Sequence, residues 1–268
     1  MRGGAQSHLM RCSDGFYYVV KFQNNPQHLR VLANELLATR LAERLGLPVP
    51  VTEVVEVSRW LIEATPELQI ITGGEHKHCA SGLQFGSRYI ADPVDGAWQV
   101  HDHLPEAQLA RVHNLREFAG ILCLDKWTCN SNGRQAVYTR APRRRVYRAN
   151  FIDQGYCFNA GEWNFPDSPL RGVYANNAVY EHVRGWNDFE PWLSRLESLT
   201  ETELGTLASG IPPEWYGNWE DMDMLVKQLD RRRSSVRDFI SAFRMSARHP
   251  FPRWGSARAS EQPVVSTV

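Results

Sequence analysis

Short alternating apolar runs come first along this chain, and helical periodicity takes over later. His8 to Cys12 and Phe16 to Phe22 (FYYVVKF) read as strands, and Ser13-Asp14-Gly15 supplies the turn of a hairpin. Asn25-Pro26 predicts a helix start, since Asn caps free N–H groups and Pro suits the first helical position. Leu29, Leu32, Leu36, Leu37, Leu41 and Leu45 follow at helical spacing until Gly46 and Pro48 end the pattern. Val51 to Val57 and Leu83 to Ile90 read as strands, and Asp92 to Pro105 reads as a polar loop. Asn114 with Glu117 resembles a capping box, which predicts a helix from Leu115 to about Thr128. Val137 to Tyr138 and Arg145 to Asp153 predict two more strands, joined by a basic turn. Gly155 to Trp186 is aromatic and loop-like. Helices are predicted at Phe189 to Leu199, at Glu201 to Ala208, and over one long stretch from Glu220 to Met245.

Strands with one helix, then a helix, a hairpin and more helices describe an α+β fold with segregated layers. The expected architecture is bilobal: a small β-rich N-lobe over residues 1–91, a larger helical C-lobe over 92–250 and a flexible tail over 251–268. With 268 residues the chain can bury a sizeable core. Thirty basic and thirty acidic residues give a formal net charge of zero, which excludes attraction of the whole molecule to nucleic acid or membrane. No apolar run approaches the roughly 20 residues of a membrane span, and the first ten residues lack a secretory signal's apolar core. Five scattered cysteines form no CxxC pair, which predicts a reducing, cytoplasmic setting. The pairs His76/His78 and His101/His103 contain metal-ligand residue types, but in loops such pairs are usually solvated surface.

The candidate chemistry falls in a definite order. Gly3, Gly4, Ala5, Gln6 and Ser7 precede the first strand, and small residues let backbone N–H groups approach an anion. Lys21 lies in an apolar strand, where an ammonium needs an anionic partner or an edge position. Glu35 sits among leucines in the following helix. Asp125 stands four intervening residues before Asn130, a spacing found in kinase catalytic loops. Asp153 ends an apolar strand and is followed by Gln154-Gly155. There a carboxylate can hold Mg²⁺ with an amide such as Asn130 as second ligand.

The segments GGAQSHL, YVVKF, NELLATRLAERLGLPVP, DKWTCNSNGRQ and FIDQGYCF together resemble the HipA-like kinase family, in its small stand-alone branch, from Gly3 to about Phe165. The resemblance implies a protein-kinase-like bilobal fold, ATP and Mg²⁺ as cofactors, and phosphoryl transfer to a protein hydroxyl. It implies that Gly3 to Ser7 form the phosphate loop, that Lys21 pairs with Glu35 and the phosphates, and that Asp153 binds the metal. The catalytic loop departs from the family's approximate Asn-x-Asp-x-His-x-x-Asn. Asn132 stands where the catalytic Asp belongs, and Val137 where the metal-binding Asn belongs. An amide cannot accept a proton as a carboxylate does. Three alternatives follow: Asp125 serves as base, or transfer proceeds slowly without one, or the chain is a nucleotide-binding pseudokinase. Basic runs such as Arg143-Arg144-Arg145 raise a nucleic-acid alternative, which the placement of the aromatic residues disfavours.

Overall fold

The computed structural model describes residues 4–91, 93–94 and 97–256. Strands β1 (His8–Arg11) and β2 (Tyr17–Lys21) form the expected hairpin, with His8 opposite Val20. Helix α1 (Val31–Leu45) follows and ends on Gly46, whose left-handed φ of 81° suits glycine. It starts later than Asn25-Pro26 implied. Asn25 instead accepts from the Gln27 N–H at 2.9 Å and donates to the Ala5 carbonyl at 2.9 Å, so its side chain closes a turn beside the N-terminal loop.

Strand β3 (Thr52–Val57) leads through helix α2 (Arg59–Ala64) into a hairpin of β4 (Gln69–Thr72) and β5 (Glu75–His78). Strand β6 (Gly82–Arg88) then completes a four-stranded antiparallel sheet in the order β1-β2-β6-β3. The β4–β5 hairpin occupies a stretch with no clear sequence pattern. Its β5 strand, EHKH, is exposed at every position, so no alternation marks it.

Beyond β6, strand β7 (Gln99–His101), inside the expected polar loop, pairs with β8 (Gln135–Arg140), which pairs with β9 (Arg148–Ile152). Helices α3 (Glu106–Leu109) and α4 (Glu117–Trp127) lie between β7 and β8. Asn114 does not cap α4 by its side chain. It exchanges two hydrogen bonds with the backbone of Ala149 and so ties the helix approach to β9. Helices α5 (Trp192–Glu197), α6 (Glu201–Ala208), α7 (Trp219–Arg232) and α8 (Val236–Arg244) make up the rest. The single long helix expected here is broken at Arg233–Ser235, where two serines of weak helix propensity follow Arg233. Among the described residues no helix is long and apolar enough to cross a membrane.

The α+β architecture, with a small β-rich lobe and a larger helical lobe, is as the pattern predicted. One buried cluster joins α1 (Leu36, Leu37) to α4 (Ile121, Trp127) and α8 (Phe243), so the helix after β2 is anchored in the helical lobe. A second, smaller cluster packs Val20 and Phe22 against Leu68, Ile70 and Cys79 of the β4–β5 hairpin region. The tail expected from residue 251 begins inside the fold: Phe251 is buried in the larger cluster and Trp254 packs against it. The rest of that expected tail, 257–268, lies outside the described residues. All five cysteines are free.

Candidate active site

Lys21 is the last residue of β2 and sits opposite Phe85 of β6. Its side chain turns to Glu35, in the middle of α1, and to Asp153, directly after β9. The Lys21 Nζ donates to the Glu35 Oε1 and, at 2.7 Å, to the Asp153 Oδ1. Lys21 and Glu35 are nearly buried, at 7% and 3% exposure. Two carboxylates share one ammonium, so the cluster carries a formal charge of −1. Burial works against the Lys21 charge, yet Glu35 and Asp153 outweigh it and hold the ammonium well above the usual lysine range. Burial, aided by the Asp153 charge, pushes Glu35 up against the pull of Lys21. Asp153 also feels burial, but Lys21 holds its carboxyl below the usual range. Asp153 is thus the more firmly ionised of the two.

Its backbone φ is +63°, a left-handed conformation that a non-glycine residue keeps only when its surroundings impose it. The imposing contacts are visible. The Gln154 N–H donates to Glu35 Oε2 at 2.9 Å, and the Asn34 amide donates to the carbonyls of Gly155, Cys157 and Ala160. Helix α1 therefore fixes the backbone that follows Asp153.

Lys21, Glu35 and Asp153 line a cleft of about 720 Å³ between the four-stranded sheet and the β7–β8–β9 sheet. Gly4, Ala5, Gln6 and Ser7 are among its lining residues. Val19, Phe85, Ile90, Val100, Val137 and Ile152 give it apolar walls, and Asn132, Gln135 and Tyr156 also face it. Gly3 lies outside the described residues.

Two of the residues expected in the site stand elsewhere. Asp125, expected as a base, has a side chain with no exposure and is paired with Arg134, whose Nε donates to its Oδ2 at 2.9 Å. Asn130, expected as a metal ligand, donates to Asp125 Oδ1 at 2.9 Å and accepts from the Asn132 N–H at 3.1 Å. Neither lines the cleft. The spacing that makes them look catalytic instead builds a buried brace: Arg134 also donates to the Ile152 carbonyl at 2.9 Å, tying α4 and the loop after it to the end of β9.

Nothing in the sequence marks Gln135. It opens β8 opposite Ile152, and its Nε2 donates to Asp153 Oδ2 at 2.6 Å. Only the β8–β9 register, which the sequence leaves open, brings it beside Asp153. Val137, where the family would carry an amide, belongs to the apolar wall. Gln6, expected in the phosphate loop, spends its side-chain amide on the backbone of Ile71.

A carboxylate beside an amide is an oxygen-rich donor set that suits Mg²⁺, which often takes only one or two protein ligands. Among the described residues no group of three or more His, Cys, Asp and Glu is placed to hold a metal ion.

The model of the HipA-like kinase family matches residues 1–138. Among solved structures, the Helicobacter pylori proinflammatory kinase CtkA superposes with a TM-score of 0.52 at 14% identity, covering 89% of this chain and 93% of that one. The Golgi casein kinase gives 0.53 at 13% identity, covering 92% and 72%. A second structure of it, with Mn/ADP bound, gives 0.50 at 13% identity over the same shares. Hydra Fam20, solved with a sugar, gives 0.51 at 12% identity, covering 89% and 81%. At such identities the likeness establishes a protein-kinase-like fold. Comparison with curated proteins gives no match.

Proposed function

Because this chain belongs to the HipA-like kinase family, we propose that it binds ATP with Mg²⁺ in the cleft and transfers the γ-phosphoryl group to a serine or threonine hydroxyl of a protein. The observation that carries this reading is the one ammonium of Lys21 bridging Glu35 on α1 and Asp153 after β9. The adjacent elements β2 and α1 meet there the end of β9, 132 residues beyond Lys21, and phosphoryl transfer depends mostly on such positioned charge.

In this reading Lys21, steadied by Glu35, meets the phosphates, and the backbone of Gly4 and Ala5 approaches them from the other side. The walls formed by Val19, Phe85, Val137 and Ile152 take the adenine. Asp153 and Gln135 would hold the metal, in place of the pairing of Asp153 with Asn130. The cluster's charge of −1 favours a cation, and Mg²⁺, when bound, would neutralise charge on the phosphate oxygens. The Mn/ADP in one Golgi casein kinase structure supports a divalent metal and nucleotide here. A division into lobes near residue 91 and a cytoplasmic setting belong to the same reading, the latter supported by five unpaired cysteines.

In the transfer itself the acceptor oxygen bonds to the γ-phosphorus as the bond to the β–γ bridging oxygen breaks, and ADP leaves. The hydroxyl proton passes to an oxygen of the transferred phosphoryl group or to water. Asn132 stands where the family carries a carboxylate, and its amide does not take a proton. Loss of a general base typically costs about 10²–10⁴-fold, so slow transfer is expected.

A second reading, a pseudokinase that binds nucleotide and a protein partner without transfer, is favoured by one observation. Asp125, the carboxylate nearest to Asn132 in sequence, is consumed by Arg134. Incubation with γ-labelled ATP, Mg²⁺ and a lysate, beside an Asp153→Ala control, separates the two. Labelled protein that disappears in the control supports the kinase. Nucleotide binding without transfer or hydrolysis supports the pseudokinase.

A further inference from the structure

The loop before β1 is held from outside the cleft. Gln6 has a left-handed φ of 46°, which turns its side chain toward the β4–β5 hairpin. There its amide makes both bonds that a strand neighbour would make: Nε2 donates to the Ile71 carbonyl at 2.8 Å, and Oε1 accepts from the Ile71 N–H at 2.6 Å. Edge strands leave such backbone groups for an outside partner, and here one side chain supplies it. Ile71 is 48% exposed, so its own side chain adds little to the hold.

The hairpin is itself fixed. Ile70 and Leu68 pack in the same cluster as Val20 and Phe22, the residues flanking Lys21. Asn24 donates to the His78 carbonyl at 2.8 Å and accepts from the Ala80 N–H at 2.9 Å, and His8 contacts the Glu67 carbonyl at 3.1 Å. On the other side of the loop, Asn25 donates to the Ala5 carbonyl at 2.9 Å.

We propose that Gln6 is a positioning residue: by clamping the loop to Ile71 it sets the backbone of Gly4 to Gln6 at the distance from Lys21 that nucleotide phosphates require. This rests on the nucleotide-binding reading above. It makes the β4–β5 hairpin, which lies outside the cleft, part of the nucleotide site. The Gln6 side chain does not itself bind phosphate, because both ends of its amide are engaged.

Binding of adenosine and of Mg-ADP to the wild type, Gln6→Ala and Ile71→Pro tests the proposal. The proline variant removes the clamped N–H from the other side, on an edge strand that tolerates it. Hydrogen exchange of the segment containing Ile71 is followed in parallel. Losing both hydrogen bonds in Gln6→Ala should weaken Mg-ADP about tenfold, and losing the one N–H bond in Ile71→Pro about threefold, while adenosine, which has no phosphates, binds as before. Exchange at Ile71 should accelerate in Gln6→Ala, and Mg-ADP should leave Ile71 protected in the wild type. Equal loss of adenosine and Mg-ADP would overturn the proposal by pointing to general loosening of the lobe. So would unprotected Ile71 on Mg-ADP binding, which would mean that Gln6 leaves the hairpin for phosphate. A wild type that keeps Ile71 protected but binds no nucleotide would refute the kinase reading, and the assigned purpose of the clamp with it.

Discussion

Gln135 donates to the Asp153 carboxylate across the β8–β9 ladder at 2.6 Å, while Lys21 holds the other oxygen of the same carboxylate at 2.7 Å. Both oxygens of the more firmly ionised acid of the cluster are thus oriented by residues that also face the cleft. In this arrangement Gln135→Ala removes both an amide placed to hold the metal and the donor that orients Asp153, and it should raise the Mg²⁺ concentration needed for nucleotide binding at least about tenfold. Asn130→Ala should leave that concentration unchanged and lower stability instead. Magnesium titrations at fixed nucleotide distinguish them, and a Mg²⁺ shift in Asn130→Ala alone would return the metal role to Asn130.

The buried Asp125–Arg134 pair predicts a stability effect separate from catalysis. Arg134→Met leaves a buried carboxylate without its partner and should cost about 3–5 kcal/mol in urea unfolding. The double variant Asp125→Leu/Arg134→Met removes both charges and should recover part of that loss. A double variant no better than the single one would mean that the pair is not the brace described.

Asn132 predicts the direction of a gain. Asn132→Asp supplies a carboxylate at the cleft and should raise phosphate transfer by up to about 10²-fold at unchanged nucleotide affinity. Initial rates at saturating Mg-ATP measure this. A rate that falls or stays constant would remove Asn132 from the path of the acceptor proton.

Lys126 predicts a pH dependence. Its ammonium is nearly buried and donates to the carbonyls of Pro169 and Arg171 at 2.7 and 2.6 Å. Burial pushes it down to about 8, against the pull of Asp125. An unfolded lysine titrates near 10.5. Between those values the unfolded chain keeps a proton that the folded chain releases, so stability rises with pH through the window and is lowest below it. Relative to Lys126→Met, the wild type should gain on the order of 1 kcal/mol per pH unit from about pH 8 to 10.5. Parallel unfolding profiles of the two proteins would contradict the assignment.

Most strands and helices are legible in the sequence because their faces differ in polarity. The leucine spacing of α1 and the FYYVVKF run are strong signals, and together they place Lys21 and Glu35 on adjacent elements. The FIDQG segment likewise marks Asp153 at a strand end. What stays hidden depends on long-range geometry. The β4–β5 hairpin is solvated along its second strand, so no periodicity reveals it. Gln135 acquires its place from strand register, and Gln6 from a contact 65 residues away in sequence. Asp125 and Asn130 mislead for the opposite reason. Their spacing is local and visible, but Arg134, nine residues beyond Asp125, turns it into a structural brace.

If the Lys21–Glu35–Asp153 cluster serves phosphoryl transfer from Mg-ATP, the fate of the γ-phosphate reveals it. Labelled ATP is followed with wild type, Asp153→Asn and Lys21→Ala, with and without Mg²⁺. The expected result is slow, Mg²⁺-dependent transfer or hydrolysis in the wild type, reduced about 10²-fold in either variant, as for removal of a positioned charge. Turnover that survives both substitutions, or a wild type and an Asn132→Asp variant that bind Mg-ATP yet release no labelled phosphate to protein or water, would contradict it.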